Sequence, residues 1–183
     1  MKKVAIMLAD GFEEIETIVP LDLLRRAGAD VDLVSVSNEK IVTGDNGLKV
    51  EANAMLRGYD FEPLDALVIP GGSGYQIIEK VPLVEDEITS FANNPDKTLG
   101  AICAGSSILG NLGLYKDKKY TCVPDLNKDS FDGHFEKVHA VVDGNLVTGI
   151  SVGGAFEFGF DLVEKLFGKK AADDLKKATC YKL

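Results

Sequence analysis

Apolar residues occur along this chain in short, nearly continuous runs that are separated by segments of helical spacing. Three such runs, residues 3–9, 64–70 and 98–103, are typical of strands buried on both faces of a sheet. Residues 31–37 alternate apolar and polar side chains and predict a further strand. Because strands alternate with helical segments and no low-complexity linker interrupts them, the pattern predicts one α/β domain over residues 1–183 with a largely parallel sheet.

The same pattern, together with turn residues, predicts the remaining elements. Asp45-Asn46-Gly47 predicts a hairpin at the sheet edge within residues 38–51, and Asp143-Gly144 predicts a second hairpin that leads into residues 145–150. The first helix has an acidic start, a basic end and a terminal glycine. Helices are predicted over residues 13–28, 84–93, 153–167 and 170–177.

The run at 98–103 ends in the small-residue motif Ala101-Ile102-Cys103-Ala104-Gly105, and residues at helical spacing follow it. A strand that turns sharply into a helix, with small residues two positions on either side of the tip, is a nucleophile elbow. The motif therefore predicts Cys103 at the tip of a strained turn. The alternative interpretation is a buried, inert cysteine at a strand end.

An elbow of this kind favours an ionised sulfur. The first amides of the following helix are unsatisfied donors at the positive end of the helix dipole, and both effects stabilise a thiolate. We therefore expect the pKa of the Cys103 thiol to lie below that of free cysteine. An adjacent carboxylate would raise this pKa, whereas a protonated carboxyl that donates a hydrogen bond would lower it.

Three acidic residues in the first predicted helix are candidates for that carboxyl. Glu16 precedes the apolar pair Ile18-Val19 and is the one that we expect to point inward, in preference to Glu13 and Glu14. Alternatively, all three are acids of a helix N-terminus that interact favourably with the helix dipole.

A glycine-rich turn, Gly71-Gly72-Ser73-Gly74, follows the strand predicted at 64–70. Ligands of open α/β sheets bind beyond the carboxyl ends of the strands, so this turn and Cys103 are expected at one edge. The turn lacks the third glycine of a dinucleotide fingerprint. We interpret the amides of Gly71 and Gly72 as donors to an oxygen atom at the cysteine, as in an oxyanion hole. A tight turn without a ligand is the alternative.

His134 is a candidate base, because a cysteine nucleophile commonly uses a histidine. It also begins a His-x-Glu pair with Glu136, which could equally be solvated. Neither His134 nor His139 lies at a metal-binding spacing, and HExxH and CxxC motifs are absent, so we expect no metal site.

Composition narrows the classes of partner. The chain has 20 basic and 29 acidic residues, a net charge of −9, which argues against nucleic acid or an anionic membrane as the main partner. No apolar run approaches the ~20 residues of a membrane span, and the start Met1-Lys2-Lys3 leads into a strand, so we expect no signal peptide. Three cysteines are too few for a disulfide scaffold, which favours the reducing cytoplasm.

Three motifs resemble signatures of the DJ-1/ThiJ/PfpI superfamily, and in particular its DJ-1 branch. They are Asp10-Gly11-Phe12-Glu13-Glu14-Ile15-Glu16-Thr17, Val68-Ile69-Pro70-Gly71-Gly72 and Ala101-Ile102-Cys103-Ala104-Gly105. The resemblance implies a flavodoxin-like three-layer sandwich, related to class I glutamine amidotransferases, and usually a homodimer. It also implies that Cys103 is an oxidisable nucleophile, that Glu16 is a protonated acid bonded to it, and that the amides of Gly72 and Ala104 are its oxyanion contacts.

The resemblance also implies a function. Relatives are credited with cofactor-independent glyoxalase activity on methylglyoxal, with protein deglycation, and with chaperone or oxidative-stress roles. We therefore expect a protein that acts on a small 2-oxoaldehyde or a glycated substrate without a cofactor, with a non-catalytic redox sensor or chaperone as the alternative. A PfpI-type protease or amidase is disfavoured because Ala104 occupies the position where the protease branch has histidine. A glutamine amidotransferase or peptidase of the same superfold, with Cys103, His134 and Glu136 as a triad, is the third alternative.

Overall fold

The structure, a computed structural model, describes residues 1–181. Its strands are β1 (Lys3–Leu8), β2 (Asp30–Ser35), β3 (Ile41–Thr43), β4 (Lys49–Glu51), β5 (Ala54–Met55), β6 (Ala66–Ile69), β7 (Thr98–Ile102), β8 (Lys119–Tyr120), β9 (His134–Phe135), β10 (Ala140–Asp143) and β11 (Leu146–Gly149). Its α-helices are α1 (Glu14–Arg26), α2 (Tyr75–Ile78), α3 (Pro82–Asn93), α4 (Ala104–Asn111), α5 (Ala155–Phe167) and α6 (Lys169–Ala178).

Seven strands form the central sheet, in the order β10-β11-β7-β6-β1-β2-β5. All neighbouring pairs are parallel except β10 and β11, which form the hairpin predicted at Asp143-Gly144. Helices cover both faces, and the prediction of a mostly parallel, flavodoxin-like α/β sandwich is confirmed.

The continuous apolar run of β1 separates into two cores because successive side chains point to opposite faces. Val4, Ile6 and Leu8 pack with α1, α5 and α6, whereas Ala5 and Met7 pack with α3 and α4. Within residues 1–181, no helix is long and apolar enough to cross a membrane.

Two regions differ from the predictions. The hairpin of β3 and β4 has the predicted turn but forms a separate two-stranded sheet, and the short strand β5 occupies that edge of the central sheet. The helix predicted from residue 153 begins at Ala155, because a 3-10 turn (Val152–Gly154) precedes it.

The parallel strands β1, β6, β7 and β11 are neighbours, and their carboxyl ends lie on the same side of the sheet. The register aligns Gly149 at the end of β11 with Ile102 at the end of β7. The segments that follow these four strands therefore converge, and they carry the predicted chemistry.

Candidate functional site

The turn between β7 and α4 has the geometry of a nucleophile elbow, with Cys103 at its tip. Cys103 has φ 58° and ψ −126°, a backbone conformation that costs a residue with a side chain about 1–3 kcal/mol. The small residue two positions after Cys103 is required by close packing, since a β-carbon on Gly105 would lie 2.4 Å from the carbonyl oxygen of Pro70. The N–H of Cys103 donates to the Gly149 carbonyl at 2.9 Å, which ties the elbow to β11.

The Glu16 carboxyl is buried completely and lies beside the elbow. Its Oε2 accepts a hydrogen bond from the Gly71 N–H at 3.0 Å, and the carboxyl also interacts with the Cys103 side chain. Burial raises the pKa of Glu16 to about 7, and the neighbouring charge of Glu13 acts in the same direction. Near neutral pH, Glu16 can therefore both hold and release a proton.

The other two acids of this segment have different partners. Glu13 caps α1 by accepting a hydrogen bond from the Glu16 N–H at 2.8 Å. Glu14 accepts from the backbone N–H and the side chain of Asn46, and so holds the β3–β4 turn against α1. Of the three candidates, Glu16 is the one at the cysteine.

The prediction that the pKa of the Cys103 thiol lies below that of free cysteine is wrong. Burial and the charge of the Glu16 carboxylate raise the pKa of Cys103 to about 12, and these effects exceed the opposing hydrogen bonds from Ser151 and from the Ala104 amide. The helix start was correctly located, but desolvation and like-charge repulsion outweigh its amides. Protonation of Glu16 would remove this repulsion, because the neutral carboxyl carries no charge to oppose that of the thiolate.

The two amides of the glycine-rich turn, those of Gly71 and Gly72, differ in whether they are free to bind an oxyanion. The Gly71 N–H is already bound to Glu16, so the prediction that it serves an oxyanion is wrong. Gly72 has φ 79°, and among residues 1–181 its N–H makes no hydrogen bond to the protein. The Ala104 N–H interacts with the Cys103 sulfur. The amides of Gly72 and Ala104 thus remain as candidate oxyanion donors.

The structure does not bring His134 to Cys103. His134 is exposed on β9, and its N–H donates to the Lys118 carbonyl. Glu136 pairs with Lys119 at 3.2 Å. Among residues 1–181, no hydrogen bond joins His134 or Glu136 to the Cys103 side chain, so the hydrogen bonds of a Cys103–His134–Glu136 triad are not formed, and a catalytic role for His134 stays a prediction.

Sequence reasoning missed Ser151. Its Oγ lies 3.6 Å from the Cys103 Sγ, within hydrogen-bond distance for sulfur. The available signal was its place two residues after Gly149, at the carboxyl end of the strand beside β7. Within residues 1–181, no group of three or more His, Cys, Asp or Glu side chains is arranged to hold a metal ion.

A flavodoxin-like sandwich that presents a cysteine on a strained elbow, beside a buried carboxyl, defines a class of cysteine-centred α/β proteins. The chain belongs to the DJ-1/PfpI family, whose model matches residues 2–165.

Relatives and solved structures agree with this assignment. The glutathione-independent glyoxalase DJ-1 of Schizosaccharomyces pombe is 30% identical, over 92% of this chain and 93% of its own. The deglycase TK1284 of Thermococcus kodakarensis is 32% identical, over 90% of this chain and 99% of its own. A mutant of the DJ-1 superfamily protein STM1931 from Salmonella typhimurium has a TM-score of 0.92 and 32% identity, with 99% of each chain covered.

The chain spans 41% and 45% of the lengths of two further relatives, the DJ-1 homologs B and A of Arabidopsis thaliana.

Proposed function

We propose that this protein converts small 2-oxoaldehydes such as methylglyoxal into 2-hydroxy acids, with Cys103 as nucleophile and Glu16 as the group that moves protons. The convergence of the two side chains at Gly71 carries the proposal: a β-carbon there would lie 2.5 Å from Glu16 Oε2 and 2.8 Å from the Cys103 Cβ. Relatives named as a glyoxalase and a deglycase support a small reactive carbonyl compound as the substrate class.

The first step is addition of the sulfur to the aldehyde. The Glu16 carboxylate takes the thiol proton, and the sulfur forms a bond to the aldehyde carbon. The electron pair of the C=O bond moves to oxygen, where the amides of Gly72 and Ala104 are the candidate donors. Glu16 then returns its proton to this oxygen, so that a neutral hemithioacetal and a carboxylate result.

The second step moves hydrogen between the two carbons. The Glu16 carboxylate removes the proton from the carbon bonded to sulfur, the electron pair of that C–H bond forms an enediol with the neighbouring carbonyl, and Glu16 delivers the proton to the neighbouring carbon. The hydroxyl proton on the carbon bonded to sulfur moves to the oxygen of the neighbouring carbon, so that the hemithioacetal becomes a thioester of the 2-hydroxy acid. Water cleaves the thioester, releases the acid and regenerates the thiol. The sum is one aldehyde plus one water to one hydroxy acid, and no external oxidant or reductant is needed.

The decisive experiment measures lactate formed from methylglyoxal by the wild type, Cys103→Ala and Glu16→Gln. We expect turnover in the wild type and a loss of at least about 100-fold in both variants, the scale typical of a general base. Cys180→Ala is the matched control, because it removes an exposed cysteine and leaves Cys103 in place. Equal lactate from the wild type and Cys103→Ala would refute the proposal.

A second candidate function is a response to oxidants through Cys103. Cys103 is partly exposed as a residue, and the Ser151 hydroxyl and the Ala104 N–H are donors that the oxygens of an oxidised cysteine could use. Cys122, by contrast, is fully buried in the core on the α3 and α4 side of the sheet. This function is compatible with the enzymatic one, because it uses the same sulfur.

We also propose that two copies of the chain associate through an apolar face formed by Ile15, Ile41, Leu48 and Phe156, all about half exposed. Their elements are adjacent: the turn between β3 and β4 bonds to Glu14 in α1, and α1 packs on α5 where Gly159 approaches Leu23. Exposed apolar side chains that are grouped on adjacent elements are typical of an interface.

A further inference from the structure

Ser151 occupies a position at which a serine hydroxyl ordinarily accepts a hydrogen bond from the backbone. It precedes the 3-10 turn Val152–Gly154, at the place where a serine side chain usually accepts a hydrogen bond from the amides of the turn. Here the side chain makes no such bond, and the turn is closed by a backbone bond from the Gly154 N–H to the Ser151 carbonyl at 2.8 Å. The hydroxyl is therefore available to another group, and it lies 3.6 Å from the Cys103 sulfur.

The segment that carries Ser151 is held on both sides. The Ile150 N–H donates to the His139 carbonyl at 3.0 Å. Four residues after Ile150, Gly154 packs so closely on the same carbonyl oxygen that a β-carbon would lie 2.3 Å from it. Since the elbow is bonded to Gly149 in the preceding strand, Ser151 and Cys103 are attached to one rigid frame.

We infer that Ser151 is a positioning residue for the nucleophile: its hydroxyl donates a hydrogen bond to the Cys103 sulfur when the thiol proton has moved to Glu16. A thiolate has no proton to donate, so in this state the hydroxyl must be the donor. The bond orients the sulfur and stabilises its charge in a buried site, where desolvation disfavours the thiolate. Of the groups that favour the ionised sulfur, Ser151 has the largest effect on the pKa of Cys103, ahead of the Ala104 amide.

This role rests on the proposed function, because a hydrogen bond to Cys103 matters for turnover only if Cys103 is the nucleophile. The test therefore measures the thiol itself. Rates of iodoacetamide alkylation are followed against pH by peptide mass spectrometry in the wild type, Ser151→Ala and Ser151→Thr, with the exposed Cys180 as reference in the same samples. We expect Ser151→Ala to shift the Cys103 titration upward by about one pH unit, a tenfold loss of thiolate at a given pH.

Ser151→Thr keeps the hydroxyl and should return the titration toward that of the wild type. Ser73→Ala is the control for loss of a nearby hydroxyl, because the Ser73 hydroxyl bonds to Asp45 and not to the sulfur. Circular dichroism establishes folding, and Ser151→Gly replaces Ser151→Ala if the latter is unfolded. An unchanged titration in the variant without the hydroxyl, or a failure of Ser151→Thr to restore it, would overturn the role of Ser151.

The two proposals fail in different ways. If the wild type forms no lactate but Ser151→Ala shifts the titration, the glyoxalase proposal is wrong and the hydrogen bond stands. If lactate forms but Ser151→Ala does not shift the titration, the glyoxalase proposal stands and the role of Ser151 is wrong. Where both stand, Ser151→Ala should lower kcat while KM changes little, because the hydroxyl acts on the nucleophile rather than on the bound substrate.

Discussion

Gly71 packs so closely on Cys103 that a β-carbon at position 71 would lie 2.8 Å from the Cβ of the cysteine. The same added atom would lie 2.5 Å from Glu16 Oε2 and 3.0 Å from the Ala104 nitrogen. Because Gly71 has no side chain, the Glu16 carboxyl, Cys103 and the start of α4 at Ala104 can pack around it.

Gly71→Ala should therefore damage the site more than the fold. We expect the carboxyl and the elbow to separate, turnover to fall at least about tenfold, and the free energy of unfolding to decrease by about 1–3 kcal/mol, as for other overpacked sites. Lactate assays and urea denaturation measure the two effects. Gly153→Ala is the control, since its β-carbon meets nothing within 4 Å; equal losses in both variants would contradict this account.

Glu16→Gln should separate ionisation of the sulfur from catalysis. The Glu16 carboxylate raises the pKa of Cys103, so its replacement by a neutral amide should lower the pH at which the thiol is alkylated. Turnover should nevertheless be lost, because an amide accepts no proton from the thiol or from carbon. Alkylation against pH and lactate assays on the same preparations test this pair of outcomes. A thiol that titrates at higher pH in Glu16→Gln would show that the carboxyl favours the thiolate.

The pH dependence of turnover follows from the same carboxyl. Because Glu16 acts in its ionised form and burial raises its pKa to about 7, the rate should increase as the pH rises through about 7 and fall under acidic conditions. A rate profile of kcat/KM between pH 5 and 8 checks the direction. A rate that is flat or declines over this range would exclude Glu16 as the base.

Stability should change with pH in the opposite direction. The pKa of Glu16 is raised from 4.5 to about 7 in the folded state, so the folded protein holds this proton more tightly than the unfolded chain does. Its contribution is fully present below pH 4.5 and is lost as the pH rises through about 7, by up to about 3 kcal/mol.

Urea unfolding at pH 5 and pH 8 measures this effect when the wild type is compared with Glu16→Gln, which retains the other titrating groups. We expect the wild type to lose stability relative to the variant between the two pH values. A constant difference would mean that Glu16 does not titrate in this range.

The apolar face predicts the oligomeric state. Ile41→Glu should shift the protein from dimer to monomer in sedimentation experiments, because it places a charge in the proposed interface. Leu83→Glu is a matched control, since Leu83 is an exposed apolar residue of α3, in the other helical layer. A wild type that sediments as a monomer at tens of micromolar would remove the proposal.

Oxidation tests the second candidate function. Mild peroxide should add two oxygens to Cys103 and leave the buried Cys122 unmodified, as peptide mass spectrometry would show. Because thiolate is the reactive form, modification of Cys103 should increase as the pH is raised. Preferential oxidation of the exposed Cys180 would argue against Cys103 as a sensor.

The sequence alone determined the order of the main strands and helices, the position of the elbow, and the choice of Glu16 over Glu13 and Glu14, but it did not predict α2, β5, β8 or β9. Each of these depends on local patterns: apolar periodicity, small residues flanking Cys103, and apolar neighbours that turn a helix face inward.

Only the tertiary structure decided which groups meet the sulfur and how they act on it. Ser151 reaches Cys103 across 48 positions of sequence because β11 lies beside β7, whereas His134 lies on β9 in a separate two-stranded sheet and makes no hydrogen bond to the Cys103 side chain among the described residues. The direction in which the pKa of Cys103 shifts also depended on packing, since it is set by burial and by the nearby Glu16 carboxylate. Both arise from the folded arrangement, and neither leaves a periodic signal in the sequence.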